Sequence, residues 1–334
     1  MTRTVLVTDF AWPNLEPEAR ILSEAGAELL VAETGDEEEL VALAPRADAI
    51  LTCWKRVGER VLRAADRCLT VARYGVGLDN IDLQVATSLG MVVSNVPHFC
   101  LTEVADHTMA LVLADARHIS GFATQTSAGV WDNRACGPMH RLGGRVFGLV
   151  GYGNIAQQVA VRAKAFGFDV VAFSPSRVGS SSTDGVRFAK DLQSLLTQSD
   201  VVSLHTPLTP DTRHLIGAAE LAAMKPGALL VNTSRGLLVD QVALVDSLSS
   251  GGIRAAALDV LEEEPPRPGD PLLSAPNVIT TPHAAFDSVE AIAELQETAA
   301  RNVAAVLAGR LPDHVVNDEV VDSPQLRLGR EIAR

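Results

Sequence analysis

The stretch "RVFGLVGYGNIAQQVAVRAKAFG" sets an apolar run before Gly151-Tyr152-Gly153-Asn154-Ile155-Ala156 and a helix-forming run after it. The first run reads as a strand; in the second, Ile155, Val159 and Ala163 recur at every fourth position, making one buried helical stripe. A strand that turns on glycine directly into a helix commits the chain to a parallel sheet. In such a turn Gly151 permits the tight reversal, Gly153 lets the backbone approach a pyrophosphate, and small Ala156 lets helix pack closely on strand. The helix N-terminus adds unpaired N–H groups and a positive dipole end for phosphates. Gly151, Tyr152, Gly153, Asn154 and Ile155 are therefore candidate dinucleotide contacts.

Short apolar runs alternate with helical stretches along most of the chain, the pattern of βαβ units. Strands are expected at Val5–Thr8, Leu29–Ala32, Ala49–Thr52, Leu69–Ala72 and Met91–Ser94, followed by a long helix over about Leu101–Arg117. A second set begins at Arg145–Val150 and continues through Val170–Phe173, Val201–Leu204, Ala228–Asn232, Ala255–Leu258 and Val278–Thr280, enough for a six-stranded doubly wound sheet. Asp287, with Glu290 after it, is the capping candidate for a last long helix that Gly309 stops. The polar tail after Leu311 reads as a strap or a partly ordered end. A chain of 334 residues exceeds one ordinary core, so two domains are expected.

Composition excludes several classes. A net charge of −13 argues against non-specific nucleic-acid binding. There is no apolar signal-peptide core and no stretch long enough to span a membrane, so a cytoplasmic location is expected. Cys53, Cys68, Cys100 and Cys136 lack zinc-ligand spacing and read as reduced thiols; no metal is expected.

Three further stretches place chemistry just past strands. "LLVNTSRG" carries Arg235, "AAALDVLEEEP" carries Asp259 and Glu264, and "VITTPHAA" carries His283. Ligands of open α/β sheets bind outside the carboxyl ends of the strands, so all four point toward one crevice. Reduction of a 2-oxo acid asks for this set. A guanidinium holds the carboxylate and polarises the carbonyl, an imidazole protonates the developing alkoxide, and a carboxylate orients that imidazole and favours its charged form. His107, on an otherwise apolar helix, reads as a packing histidine.

With these motifs the sequence resembles the D-isomer-specific 2-hydroxyacid dehydrogenases, from about residue 45 to about 317. "YGVGLDNID", "NVPHFCLTEVADHTMAL", "GYGNIA", "LHTPLTPDTRHLI", "MKPGALLVNTSRG", "AALDVLEEEP" and "TPHAA" carry the likeness. It implies a catalytic Arg235, Glu264 and His283, an Asp259 near the nicotinamide carboxamide, and a Val76-Gly77 backbone that receives the substrate carboxylate. Cofactor contacts are implied at His205, Thr206, Pro207, Thr233, Ser234, Arg235 and His283 as well. The implied fold is a Rossmann cofactor domain, residues 99–287, inserted in a smaller flavodoxin-like substrate domain, residues 1–98 and 288–334. Hinges are implied near Pro97–Leu101 and Phe286–Ser288, with closure that excludes water, and family members are typically homodimers.

"RAKAFGFDVV", "TPHAAFDSVEAI" and "GRLPDHVVND" look most like the C-terminal-binding-protein branch, which includes dinucleotide-sensing corepressors. A regulatory binding protein is thus the alternative to an enzyme, and a phosphite or phosphonate oxidiser keeps the same triad. Glu264 argues against a formate dehydrogenase. In relatives the loop "LTCWKRVGE" contributes to the substrate site. Here Trp54 either walls the pocket or belongs to the core, Lys55 or Arg56 either attracts an anionic group or is solvated, and Phe286 is a second candidate wall.

The coenzyme question turns on "VVAFSPSR". Where the family usually has an acid for the adenosine ribose, this chain has Ser174. Ser176 and Arg177 follow, a set suited to a 2′-phosphate. NADP is favoured over NAD; the competing reading is a solvated Arg177 and weakly bound NAD.

Overall fold

Strands buried on both faces need helices above and below the sheet, and the apolar runs of this chain are arranged that way. The computed structural model describes residues 2–328. It divides into two units, the chain up to Cys100 together with Ser288 onward, and Leu101–Asp287.

In the first unit β1 (Arg3–Val7), α1 (Glu16–Glu24), β2 (Ala27–Val31), α2 (Glu37–Leu43), β3 (Ala49–Thr52), α3 (Glu59–Ala64), β4 (Thr70–Arg73), α4 (Leu83–Ser88) and β5 (Val92–Ser94) alternate. All strand pairs are parallel and the order is β2-β1-β3-β4-β5, the flavodoxin-like arrangement.

The second unit holds α5 (Leu101–Ala116), α6 (Ile119–Ser127), β6 (Val146–Val150), α7 (Asn154–Ala165), β7 (Asp169–Phe173), β8 (Arg187–Phe188), α8 (Leu192–Gln198), β9 (Val201–Leu204), α9 (Ala218–Ala223), β10 (Leu229–Asn232), α10 (Gln241–Ser250), β11 (Ala255–Leu258) and β12 (Val278–Thr280). Its strands are parallel in the order β12-β11-β10-β9-β6-β7-β8, the doubly wound Rossmann order with one strand added. Alternation within the strands builds a core on each face. Phe147, Leu149, Val201, Val231 and Ala257 pack with α5 and α7, whereas Val171, Val202, Leu204, Leu230 and Leu258 pack on the other side with Leu195 and Leu244. Among the described residues no helix is long and apolar enough to cross a membrane.

The expected strands are present, with ends shifted by at most two residues. Three details differ. The second sheet has seven strands, because β8 is only two residues long and its "RF" carries no apolar run. The buried stripe of α7 is Ala156, Val159, Ala160 and Ala163, while Ile155 is half-buried, one position off the true face. The last helix, α11 (Val289–Leu307), is capped by Ser288, whose side chain accepts from the Ala291 N–H, and not by Asp287. Gly309 follows it at φ +75°, a conformation that favours glycine. The tail proves to be a strap on the first unit. Asn317 Oδ1 accepts from the Val93 N–H at 2.8 Å, and Arg327 donates to the carbonyls of Ala65, Cys68 and Leu89.

Candidate active site

The carboxyl ends of strands β10, β11 and β12 are tied to one another by backbone bonds. The Asp259 N–H donates to the Asn232 carbonyl at 2.9 Å, and the His283 N–H to the Asp259 carbonyl at 2.8 Å. Asn232 Nδ2 donates to the Arg235 carbonyl at 2.7 Å, fixing the turn that presents this arginine. Gly236 is obligatory beside it, since a Cβ would overlap the Leu261 carbonyl. That close approach draws the Arg235 turn against the loop carrying Glu264.

Glu264 Oε2 lies 2.7 Å from His283 Nδ1, and its other oxygen accepts from the Leu261 N–H at 2.9 Å. The carboxylate therefore holds the ring and is itself held by its own loop. His283 has φ +54°, a left-handed backbone that non-glycine residues rarely adopt and that clusters at functional sites. Its ring meets Phe286 edge to face, centroids 6.2 Å apart. Arg235 Nη1 donates to the Ser234 carbonyl at 2.7 Å.

Asp259 differs from the expectation of a carboxylate turned to the crevice. It is only 1% exposed. Oδ1 accepts from the Thr281 hydroxyl at 2.6 Å and the Ala284 N–H at 2.9 Å, and Oδ2 from the Ala285 N–H at 2.9 Å. A buried carboxylate must find donors, and the turn around His283 supplies them. In this structure Asp259 braces the turn that carries His283.

The residues of the glycine loop fit a dinucleotide. Gly151 sits at φ +93° and a Cβ there would overlap the His205 carbonyl, whereas a Cβ on Gly153 would meet nothing at all. Open space therefore lies in front of the α7 N-terminus, where phosphates are stabilised. Tyr152 packs edge to face on Phe188 of β8, centroids 5.1 Å apart. Burial raises its phenol pKa first; the charge of Asp184 adds to this and that of Arg177 opposes it. The Arg177 side chain is exposed. Ser174 and Ser176 Oγ are 3.1 Å apart at the end of β7. His205 Nε2 pairs with Ser203 Oγ at 2.8 Å, and burial pushes its pKa down to about 4, which keeps the ring neutral at physiological pH. Thr206 adjoins Gly151, and the Pro207 carbonyl accepts from Thr212 Oγ1 at 2.7 Å. Thr233 pairs with Thr108 at 3.0 Å and Ser234 Oγ donates to the Leu204 carbonyl at 2.7 Å, so both hydroxyls serve the scaffold.

Trp54, Lys55, Val76 and Gly77 belong to the first unit. Trp54 is 42% exposed with the Arg73 guanidinium 5.7 Å from its ring centroid, so it is not a core residue. Val76 is exposed; Lys55 and Gly77 are half-buried. One residue missed by sequence reasoning organises this loop. The Asp9 carboxylate accepts from the N–H groups of Cys53 at 3.0 Å, Trp54 at 2.7 Å and Lys55 at 3.3 Å. Its sequence signal was its place directly after an apolar strand, at the edge where such sheets carry function. Cys53 beneath the loop is a buried thiol, pushed up to about 12 by burial.

The family model described as "D-isomer specific 2-hydroxyacid dehydrogenase, NAD binding domain" matches residues 109–285. The chain is 40% identical over 330 residues to a D-3-phosphoglycerate dehydrogenase of Methanocaldococcus jannaschii, covering 98% of this chain and 61% of that protein, so it spans under two thirds of that relative's length. A glyoxylate reductase of Aeropyrum pernix is 42% identical over 291 residues, 85% of this chain and 87% of its own. Among solved structures, the NADPH-dependent glyoxylate/hydroxypyruvate reductase of Sinorhizobium meliloti, in complex with NADP and malonate, superposes with a TM-score of 0.84 at 29% identity, covering 95% and 98% of the two chains. None of these relatives bears a corepressor's name. A Rossmann unit with its glycine loop, the Arg235, Glu264 and His283 strand ends, and this extent of likeness place the chain in the D-isomer-specific 2-hydroxyacid dehydrogenase family of NAD(P)-dependent oxidoreductases.

Proposed function

We propose that the protein reduces a short 2-oxo acid, of the glyoxylate or hydroxypyruvate kind, to the 2-hydroxy acid, in the D configuration where the product is chiral, with NADPH as favoured coenzyme, and catalyses the reverse oxidation as concentrations dictate. The observation that carries this reading is the 2.7 Å pairing of Glu264 with His283 Nδ1, at strand ends shared with Arg235. Arg235 holds the substrate carboxylate and polarises the carbonyl through its planar fork of donors. His283 gives a proton to the developing alkoxide; Glu264, on Nδ1, orients the ring and assigns the transfer to Nε2. In oxidation the neutral imidazole takes the hydroxyl proton. The nicotinamide, when bound, supplies or accepts the hydride.

Residues Gly151 to Ile155, with Ser174, Ser176, Arg177, His205, Thr206, Pro207 and the backbone of Thr233 and Ser234, would hold the dinucleotide in the second unit. The first unit is read as the substrate domain, with Trp54, Lys55, Val76 and Gly77 as its substrate contacts and Phe286 as one in the second unit. A cytoplasmic setting follows from dependence on the intracellular dinucleotide pool, and the net charge of −13 supports a small-molecule partner over nucleic acid.

Support for NADP comes from two hydroxyls and a guanidinium at the end of β7, where an acid would repel a 2′-phosphate. A panel of 2-oxo acids assayed with NADPH and NADH at the nicotinamide absorbance band tests both parts. We expect kcat/KM about 10-fold higher with NADPH, the value of one charge-assisted hydrogen bond, and a swing toward NADH in Ser174→Asp. Parity or better with NADH, without a swing in Ser174→Asp, rejects the coenzyme choice. Absence of turnover across the panel despite tight dinucleotide binding rejects the enzyme in favour of a sensing protein.

The same reading includes a homodimer joined through the second unit. No residue of α6 is buried, and Trp131 (93% exposed) and Ile119 (58%) lie on or near it. Such apolar exposure supports an interaction surface there. Sedimentation should show twice the chain mass of 35.4 kDa, falling toward the monomer in Trp131→Glu.

A further inference from the structure

His107 of α5 reaches the catalytic turn from outside the triad. Its Nε2 lies 2.9 Å from Thr281 Oγ1, and Thr281 Oγ1 lies 2.6 Å from Asp259 Oδ1. A hydroxyl has one proton to give, and here a carboxylate oxygen, which can only accept, takes it. Toward His107 the Thr281 oxygen is then the acceptor, and His107 must carry its proton on Nε2. Three groups thus form one directed chain, His107 to Thr281 to Asp259, ending on the carboxylate that also gathers the Ala284 and Ala285 N–H groups. The stem of His283 is pinned by the same turn, its N–H donating to the carbonyls of Asp259 at 2.8 Å and Thr281 at 3.1 Å. His283 keeps its left-handed φ of +54° only while that turn is over-determined.

We propose that His107 and Thr281 are positioning residues for His283: they lock the Asp259 carboxylate onto the turn and so fix the ring at the angle from which its proton is delivered. The proposal rests on the reading of His283 as proton donor. Neither residue touches substrate in this scheme, so their loss should appear in the rate and leave substrate affinity in place.

The test compares Thr281→Val and His107→Leu with the conservative variants Thr281→Ser and His107→Gln, each of which retains a donor. We expect kcat to fall by roughly 10-fold in the first pair, as for a misplaced catalytic group, with the 2-oxo acid KM within about twofold and rescue in the second pair. Because both residues act through one chain, the Thr281→Val/His107→Leu double variant should lose no more than the worse single. Unchanged kcat in both singles, or losses that multiply, would overturn the proposal. A second readout needs no turnover. In protein labelled at histidine ¹³Cε1, with the His283 signal assigned by its disappearance in His283→Gln, Thr281→Val should shift that signal and Thr281→Ser restore it. A stationary signal also overturns the proposal. If the wild-type protein turns over no 2-oxo acid, the proposed function fails while the resonance still decides whether His107 and Thr281 set the geometry of His283.

Discussion

Replacing His283 with alanine is expected to lower kcat by roughly 10²–10⁴-fold, the range for losing a positioned general acid–base, with KM for the 2-oxo acid nearly unchanged. Glu264 takes Nδ1 at 2.7 Å, so the transferred proton has to leave from the other nitrogen, and no second imidazole stands in the triad to replace it. Substrate affinity should survive because, in the proposed mechanism, Arg235 holds the carboxylate. Glu264 keeps its bond to the Leu261 N–H and is 36% exposed, so removal of the ring leaves a carboxylate that water can solvate and not a buried charge. Steady-state rates with saturating NADPH, followed by a single-turnover measurement, separate the proton-transfer step from product release. Turnover near the wild-type value would remove His283 from the mechanism.

Arg235→Ala should behave differently, raising KM and lowering kcat together. In the proposed mechanism the guanidinium serves the ground state through the carboxylate and the transition state through the carbonyl, so both constants would depend on it. Truncating one side of such a charge pair costs about 3–4 kcal/mol, which is roughly 10²–10³-fold in kcat/KM. Arg235→Lys should recover only part of the loss, because an ammonium offers a point charge in place of a planar fork. The turn itself should persist, since its anchor is the backbone carbonyl of Arg235 accepting from Asn232, which any side chain leaves intact. Kinetics in which only KM moves would restrict Arg235 to holding the carboxylate.

Much of this site was legible in the chain. The glycine loop, the strand ends carrying Arg235, Glu264 and His283, and the serine in place of an acid after β7 are local patterns, and local patterns survive as printed in the sequence. Errors fell where the element is too small to have a period, where two neighbouring residues could serve equally well, or where the deciding contact is distant. β8 is two residues long, and Ser288 displaced Asp287 as helix cap by a matter of one position. Exposure of Trp54 at 42% removes the core reading and leaves its role as a substrate wall a proposal.

Sequence alone determined the α/β class, the two parallel sheets, the glycine turn between β6 and α7 and the candidate reactive groups, because apolar periodicity and glycine placement act over a few residues. Tertiary structure decided what those groups do with their hydrogen bonds. Asp259 turns inward to the backbone of Ala284 and Ala285, Asp9 gathers the N–H groups of residues 53–55, and His107 reaches Thr281 across a span of chain no motif covers. The physical reason is common to all three: buried or half-buried polar atoms must be paired, and the partner that satisfies them is chosen by the packing of separate elements, which a linear pattern does not encode.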